Sequence, residues 1–227
     1  MPQKRASTPT NDTAPVATGT GKRISLGTVE RLSVYRSVLE ELHEDGVASV
    51  YSHQLAEMVG VTPAQLRRDL ASFGSFGNIA RGYPVFEMAR TISGILHTDT
   101  MQVLALFGVG DLGRALLTYR GFEERGFRIG VVFDIDPAKA GKVFAGRRCY
   151  HLDQLESALP DFDVRIAVLA CRPAGVEGIV ERLGRLGVRN ILNFVPKRVK
   201  PVPGGYVEHV DISGKLEKLS FLSSQRR

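Results

Sequence analysis

Cysteine is nearly absent from this sequence: Cys149 and Cys171 are the two in 227 residues. They stand 22 positions apart, and His151, the one His close to either, completes no ligand set, so neither a disulfide framework nor a zinc site is expected. No apolar run reaches the ~18 residues of a membrane helix, and the N-terminus has no hydrophobic signal stretch; no membrane partner is expected, and the cytoplasm is the expected location. Histidine is sparse, with His43, His53, His97, His151 and His209 scattered and without partner motifs. Chemistry that needs a positioned acid or base finds no evident candidate among them. A large excess of one charge is missing too. The net charge is +6 with a pI near 9.5, yet residues 1–100 carry ten basic and ten acidic side chains, and residues 101–227 carry twenty and fourteen. Bulk charge therefore names no partner, and any argument about polyanions must rest on local placement.

What is present divides into two parts. A length of 227 residues with 43% hydrophobic content suits two buried cores. In the second part, the apolar run Val103 to Leu106 leads into Phe107 Gly108 Val109 Gly110 Asp111 Leu112 Gly113, a strict G-x-G-x-x-G. That is a strand, a tight turn and a helix start, in which Gly108 permits the turn, Gly110 admits a pyrophosphate and Gly113 lets the helix pack closely. A second run, Ile129 to Phe133, ends at Asp134, 21 residues beyond Gly113. This is close to the ~20-residue spacing of the acid that binds an adenosine ribose. Asp134 with Asp136 favours NAD, because a 2′-phosphate would meet two carboxylates. At the end of the strand Val164 to Ala170, Cys171 and Arg172 occupy the edge where ligands of open α/β sheets collect. A thiol beside Arg172 could also have a lowered pKa and act as a redox sensor.

About a hundred residues precede this nucleotide fold. Residues 1–22, rich in Thr, Pro, Ala and Gly, predict a disordered tail, from which Lys4, Arg5, Lys22 and the following Arg23 could touch phosphates. From Ser25 the periodicity turns helical, with Val29, Leu32, Val34, Tyr35, Val38, Leu39 and Leu42 on one stripe. Ser52 is expected to cap a helix holding Leu55, Ala56 and Val59; Gly60 stops it, Val61 is an apolar plug, and Thr62 with Pro63 starts a second helix. The spacing is that of a helix-turn-helix, whose second helix meets base edges. This singles out Thr62, Pro63, Ala64, Gln65, Arg67 and Arg68, with Ser52 nearby. The alternating aromatics and glycines from Phe73 to Tyr83 predict a short hairpin or wing, with Arg81 at its tip. A plain helical hairpin with a solvated basic face is the alternative reading of this segment.

With these motifs in order, the chain from Ile24 onward resembles the Rex family of redox-sensing transcriptional repressors. The resemblance rests on Thr28 to Leu32, Leu55 Ala56, Gln65, Arg67, Asp69 and Leu70, Phe73 Gly74 with Phe76 Gly77, Gly82 Tyr83, the glycine loop, Arg125 to Phe127, Phe133 to Pro137, Ile191 to Phe194 and Val210 to Ile212. It implies an α/β chain: a winged helix-turn-helix domain over residues 23–98, a Rossmann-type doubly wound parallel sheet over 99–208, and a domain-swapped helix over 209–227. It implies a homodimer on palindromic operator DNA, released by NADH and favoured by NAD+, with the dinucleotide as effector and not consumed. Asn193 and Phe194 join the cofactor set, Phe194 as an apolar wall for the reduced ring. Arg31, Tyr83 and Asp211 match positions between domains and are expected to form the switch, Arg31 as charge partner to Asp211. The final helix carries Ile212, Leu216, Leu219, Phe221 and Leu222 on one stripe and needs a surface to cover it.

The chain also departs from the family. Ile79 Ala80 replace an Arg Gly pair in the wing, and Asp111 replaces Asn in the glycine loop. A carboxylate there opposes a pyrophosphate if it points inward, and caps the helix if it points outward. The rival function is an NAD-dependent dehydrogenase with an N-terminal extension, which would need a positioned His, Tyr or Lys and usually a substrate domain.

Overall fold

A computed structural model describes residues 15–17, 23–74, 76 and 82–225. The chain divides into two compact units, Met1–Asp99 and Thr100–Arg227.

The first unit opens with an antiparallel pair, β1 (Pro15–Ala17) and β2 (Arg23–Ser25). Composition predicted a disordered tail here, and for β1 that expectation fails; residues 1–14 and 18–22, Lys4, Arg5 and Lys22 among them, lie outside the described residues. Helix α1 (Leu26–Glu44) starts where Ser25 Oγ accepts from Thr28 N at 3.2 Å. Its buried stripe is Leu32, Tyr35 and Leu39, while Val34 faces solvent. There follow β3 (Ser49–Val50), α2 (Ser52–Met58), α3 (Pro63–Ala71), β4 (Tyr83–Pro84) and α4 (Val85–Ile95). β3 pairs antiparallel with β4, Val50 opposite Tyr83. Leu32, Leu39, Leu55, Leu66, Met88 and Ile92 fill the core between the helices, and truncating any of these leucines to Ala is expected to cost about 2–5 kcal/mol.

The turn between α2 and α3 is built as the spacing requires. Gly60 sits at φ +71°, a left-handed value that glycine adopts without strain. Val61 N then reaches back to Ala56 O at 2.9 Å, and Val61 packs on the core. Thr62 Oγ1 accepts from Gln65 N at 3.1 Å and Pro63 takes the first helical position. Ser75 and residues 77–81, in the expected wing, lie outside the described residues, so Arg81, Ile79 and Ala80 do too.

The second unit runs β5 (Gln102–Phe107), α5 (Asp111–Leu117), β6 (Phe127–Asp134), β7 (Val143–Phe144), β8 (Arg147–His151), α6 (Leu155–Ala158), β9 (Val164–Leu169), α7 (Val176–Arg185), β10 (Asn190–Asn193), β11 (Tyr206–His209) and α8 (Ile212–Ser224). Seven strands form one sheet in the order β11-β10-β9-β5-β6-β8-β7. Neighbours are parallel except β7 against β8. From β5 the chain travels one way through β6 and β8, then returns and travels the other way through β9, β10 and β11. The reversal leaves a crevice between the carboxyl ends of β5 and β9, where doubly wound sheets bind ligands. The central strands are buried on both faces, which is why Leu104–Phe107, Val131–Phe133 and Ala167–Leu169 read as unbroken apolar runs. Successive residues serve opposite cores: Ala105 and Phe107 pack with Val176 and Val180, and Leu104 and Leu106 with Ile129 and Val132.

Helix α8 has no buried residue, and its apolar side chains are exposed by 48% (Leu222) to 63% (Phe221). Among the described residues no helix is long and apolar enough to cross a membrane.

Candidate dinucleotide cleft and nucleic-acid interface

Three glycines make the turn after β5, each for a different reason. Gly108 takes φ +100°, and a Cβ there would stand 2.6 Å from Ala170 O and 2.8 Å from Cys171 Cα. Glycine thus lets the ends of β5 and β9 touch. Gly113 is buried, and a Cβ on it would overlap the Gly108 carbonyl oxygen. Gly110 differs from both: a Cβ there would meet nothing within 4 Å. Its missing side chain leaves room on the cleft side, where a ligand's phosphates can approach the backbone amides.

The cleft has a volume of about 780 Å³ and is lined by Gly108, Gly110, Asp111, Leu112, Asp134, Cys171, Arg172 and Phe194 from the expected set, and by Ile135, Asp136, Lys139, Ile179 and Pro196 besides. Val109, Gly113 and Asn193 do not line it. Val109 is fully buried and donates its N–H to Asp134 Oδ2 at 2.7 Å. Asn193, expected to contact the ligand, is instead buried under the turn after β10. Its Oδ1 accepts from Val195 N at 3.0 Å, and its Nδ2 donates to Lys197 O and to His209 Nδ1, each at 2.9 Å. It shapes the turn that brings Phe194 and Pro196 to the cleft.

Asp134 is 7% exposed and its carboxylate is already engaged. Oδ1 accepts from Asp136 N at 2.9 Å, and Oδ2 accepts from Val109 N and from Lys139 Nζ at 2.9 Å. Burial pushes the carboxyl up, but the two backbone amides and the Lys139 ammonium outweigh it and hold Asp134 below the ordinary carboxylate range. Lys139 was not among the expected residues. The fold returns it to the strand end because Asp136 Oδ1 accepts from Ala138 N at 2.9 Å and tightens the turn; an Asx turn just after a strand-end acid is the sequence signal that could have found it.

Asp111 points outward. Its side chain is fully exposed and accepts from Arg114 Nη2 at 2.6 Å. Cys171 is half-buried, and burial pushes its thiol up, the reverse of the lowered pKa that a neighbouring Arg172 suggested. Cys149 is buried and pushed up to about 11 by the same cause.

In the first unit, Thr62, Ala64 and Arg68 are exposed and Pro63, Gln65 and Arg67 half-buried along α3. Ser52 does not cap α2: Tyr51 holds that place, its N–H donating to Gln54 Oε1 at 2.9 Å. Ser52 is buried and its Oγ accepts from Arg67 Nη1 at 3.1 Å, which ties α2 to α3. Asp69, 2% exposed, collects donors: Arg31 Nε and Nη2, each at 2.7 Å, Tyr35 Oη at 2.8 Å and Gln65 Nε2 at 2.9 Å. Burial raises its carboxyl pKa, and the hydrogen bonds from Arg31, Tyr35 and Gln65 lower it further than burial lifts it. Arg31, expected as the charge partner of Asp211, is thus committed to Asp69. Tyr83 is 4% exposed in the core of the same unit, and Asp211 caps α8, its Oδ1 accepting from Gly214 N at 2.8 Å.

Comparison with known proteins fits both units. Residues 23–71 match the family described as "Putative DNA-binding protein N-terminus", and residues 99–197 the family described as "CoA binding domain". The redox-sensing transcriptional repressor Rex of Carboxydothermus hydrogenoformans is 40% identical over 201 residues, covering 88% of this chain and 97% of that protein. The Rex of Streptomyces coelicolor is 39% identical, covering 86% of this chain and 75% of that protein. The chain belongs to the Rex family. Solved structures extend the likeness to the fold: RSP, a Rex-family repressor, superposes with a TM-score of 0.81 at 30% identity, covering 89% of this chain and 95% of RSP. RSP in complex with β-NAD+ and operator DNA gives 0.83, at 30% identity over 89% of this chain and 94% of that one. The chain therefore has the family's N-terminal DNA-binding unit, with its helix-turn-helix, and its Rossmann-type parallel sheet.

Proposed function

We propose that this protein represses transcription by binding a palindromic operator, that NADH releases it, and that the dinucleotide is an effector which is not consumed. The observation that carries the proposal is the cleft: open space beside Gly110 at the strand-order reversal, with Asp134 and Lys139 at one end and Cys171, Arg172 and Phe194 at the other, in a chain that also holds a helix-turn-helix. RSP, solved with β-NADH and with β-NAD+ plus operator DNA, supports the direction of the switch.

The adenosine ribose is assigned to Asp134 and Lys139, the pyrophosphate to the loop from Gly108 to Gly113, and the nicotinamide to Cys171, Arg172 and Phe194. The oxidised and reduced forms differ at the nicotinamide by one positive charge and by ring planarity. Arg172 repels the charged ring, and the Phe194 wall accepts the neutral one. On the DNA side, α3 lies in the major groove with Thr62 to Arg68 toward the bases, and Arg81 in the wing serves the minor groove.

Residues 1–22 serve as the tail, 23–98 as the DNA-binding domain, 99–208 as the dinucleotide domain and 209–227 as a helix exchanged in a homodimer. The uncovered stripe of α8 supports the exchange, because so short a helix gains its stability by packing. A ligand that fits one arrangement of the dimer better moves the two reading helices out of register with the half-sites. Among the described residues lining the cleft, the ionisable groups are Asp111, Asp134, Asp136, Lys139, Cys171 and Arg172. That relatives 39–40% identical over most of the chain are transcriptional repressors supports an effector role for the dinucleotide.

Selection from a palindromic DNA library with NAD+ or NADH present tests the reading. Enrichment of one inverted repeat, weakened by NADH within the roughly 5–150-fold range of ordinary allosteric coupling, is expected. No enrichment, or equal affinity with both forms, overturns it.

A further inference from the structure

Gln65 lies on the solvent-facing flank of α3 with its amide held at both ends. Nε2 donates to Asp69 Oδ1 at 2.9 Å, and Oε1 accepts from Arg68 Nη1 at 3.1 Å. A carboxylate can only accept and a guanidinium can only donate, so these partners leave the amide one orientation. Asp69 is equally fixed. Arg31 grips both of its oxygens, Tyr35 Oη donates to Oδ2, and Thr28 Oγ1 stands 3.5 Å from Oδ1. Arg31, Tyr35 and Thr28 all belong to α1, so a chain of contacts runs from the core helix through Asp69 to the outer face of α3.

We infer that Asp69 is a positioning residue for base reading: it locks the Gln65 amide so that Gln65 and Arg68 together form one donor surface for a guanine. The inference rests on α3 being the groove helix proposed above. With Oε1 held by Arg68, what the pair offers outward is the second N–H of Gln65 and the remaining N–H groups of Arg68. In the major groove guanine presents two acceptors, N7 and O6, whereas adenine sets a donor beside an acceptor and cytosine presents a donor. An unrestrained Gln reads adenine by offering its oxygen and its N–H together. The clamp removes that option.

The experiment compares the full chain with Asp69→Asn, Gln65→Ala and the double variant by operator competition against single-base-pair substitutions at matched salt, with melting and NADH titration on each. In Asp69→Asn one of the two acceptor oxygens becomes an NH2 donor, Arg31, Tyr35 and Gln65 compete for the oxygen that remains, the Gln65 amide is freed to turn, and discrimination at one G·C pair in each half-site is expected to fall about tenfold. Affinity for non-specific DNA stays unchanged, and in the Gln65→Ala background Asp69→Asn has no further effect on discrimination. Equal losses in both backgrounds, or a loss spread over all sequences alike, would mean that Asp69 only holds α3 on α1 and would overturn the inference. If Asp69→Asn does not fold, Arg31→Lys, which keeps the charge and gives up the two-pronged contact, is scored by the same two criteria. A wild-type chain that selects no DNA overturns the repressor reading and this inference with it; a selective chain without Asp69-dependent discrimination overturns this inference alone.

Discussion

Lys139 Nζ stands 2.9 Å from Asp134 Oδ2, so the acid at the end of β6 is one half of an ion pair at the rim of the cleft. The same oxygen holds Val109 N of the glycine loop. Asp134 therefore fixes the glycine turn as well as lining the cleft, and under the proposed ribose assignment one side chain serves both ends of that function.

Asp134→Ala is accordingly expected to weaken NADH by about 1.5–3 kcal/mol, the ordinary worth of hydrogen bonds to a charged group, and to narrow the preference over NADPH. Lys139→Ala should act in the opposite sense on that preference. It removes a cation from a site that keeps Asp134 and Asp136, so a 2′-phosphate meets more repulsion than before. Calorimetry with both dinucleotides checks the pair; a wild-type chain with equal affinities would refute the ribose assignment.

Asp111 is fully exposed at the start of α5, paired with Arg114 and close to where a pyrophosphate would lie. Asp111→Asn should tighten NADH by about 0.3–1 kcal/mol at low ionic strength, the size of a single charge effect at a helix end. The gain should shrink as salt rises toward physiological levels, where screening extends over ~8 Å. A gain independent of salt would point to a changed loop conformation.

How far the sequence foretold all this depends on the range of the interaction. The glycine turn, the acid at the strand end and the helix pair were legible because each is set within a few residues by backbone conformation or by a strict period. Ser52 was misplaced by one position, since Tyr51 can cap through its own N–H and Gln54, and Ser52 is then free to accept from Arg67. Asn193 was misread because its type suggests a ligand contact, while the fold encloses it among Val195, Lys197 and His209. The Arg31–Asp69 pair was out of reach: 38 residues separate the partners, and no local pattern says that α1 lies against the inner flank of α3. The one near signal was the four-residue spacing of Gln65 and Asp69, which sets both on one face of a helix.

Both thiols are expected to be sluggish. Reaction with iodoacetamide needs the thiolate, and burial holds Cys171 above the usual range and Cys149 at about 11. In the native protein at neutral pH, Cys149 should stay unmodified and Cys171 should react more slowly than an unperturbed thiol, the rate climbing with pH. Dilute peroxide should leave operator binding unchanged. Rapid loss of binding on oxidation, reversed by a thiol reductant, would restore the redox-sensor reading of Cys171.

The stripe on α8 carries a prediction about assembly. Leu216, Leu219 and Phe221 are 61%, 57% and 63% exposed in one protomer, and burying such side chains is worth about 1.5–3 kcal/mol each. If α8 packs on a second copy as proposed, Leu219→Glu should shift the assembly toward monomer in sedimentation or light scattering. The N-terminal unit, whose core is separate, should keep its helical content. Operator affinity should fall with the dimer, since each half-site is then bound singly. An unchanged mass would show that something other than a second copy covers this face.

Asp211 stands at the first turn of α8, where its carboxylate accepts from Gly214 N at 2.8 Å. The strand before it is stitched to the cleft: Val210 N donates to Asn193 O at 2.9 Å, and Asn193 orders the turn that carries Phe194 and Pro196. The cleft wall at Phe194 thus has a short covalent and hydrogen-bonded path to the start of α8. Asp211→Ala removes the cap, at a cost of about 0.5–2 kcal/mol to the helix, and leaves every cleft-lining side chain in place. NADH affinity should stay close to that of the wild type, while the factor by which saturating NADH lowers operator affinity should shrink. Asp211→Asn separates charge from capping, because Asn caps nearly as well as Asp. If only the cap matters, the Asn variant keeps the wild-type factor; if the carboxylate charge meets a partner in one state of the dimer, both variants lose it. Operator titrations with and without saturating NADH in the three proteins decide, and an unchanged factor in both variants would remove Asp211 from the coupling.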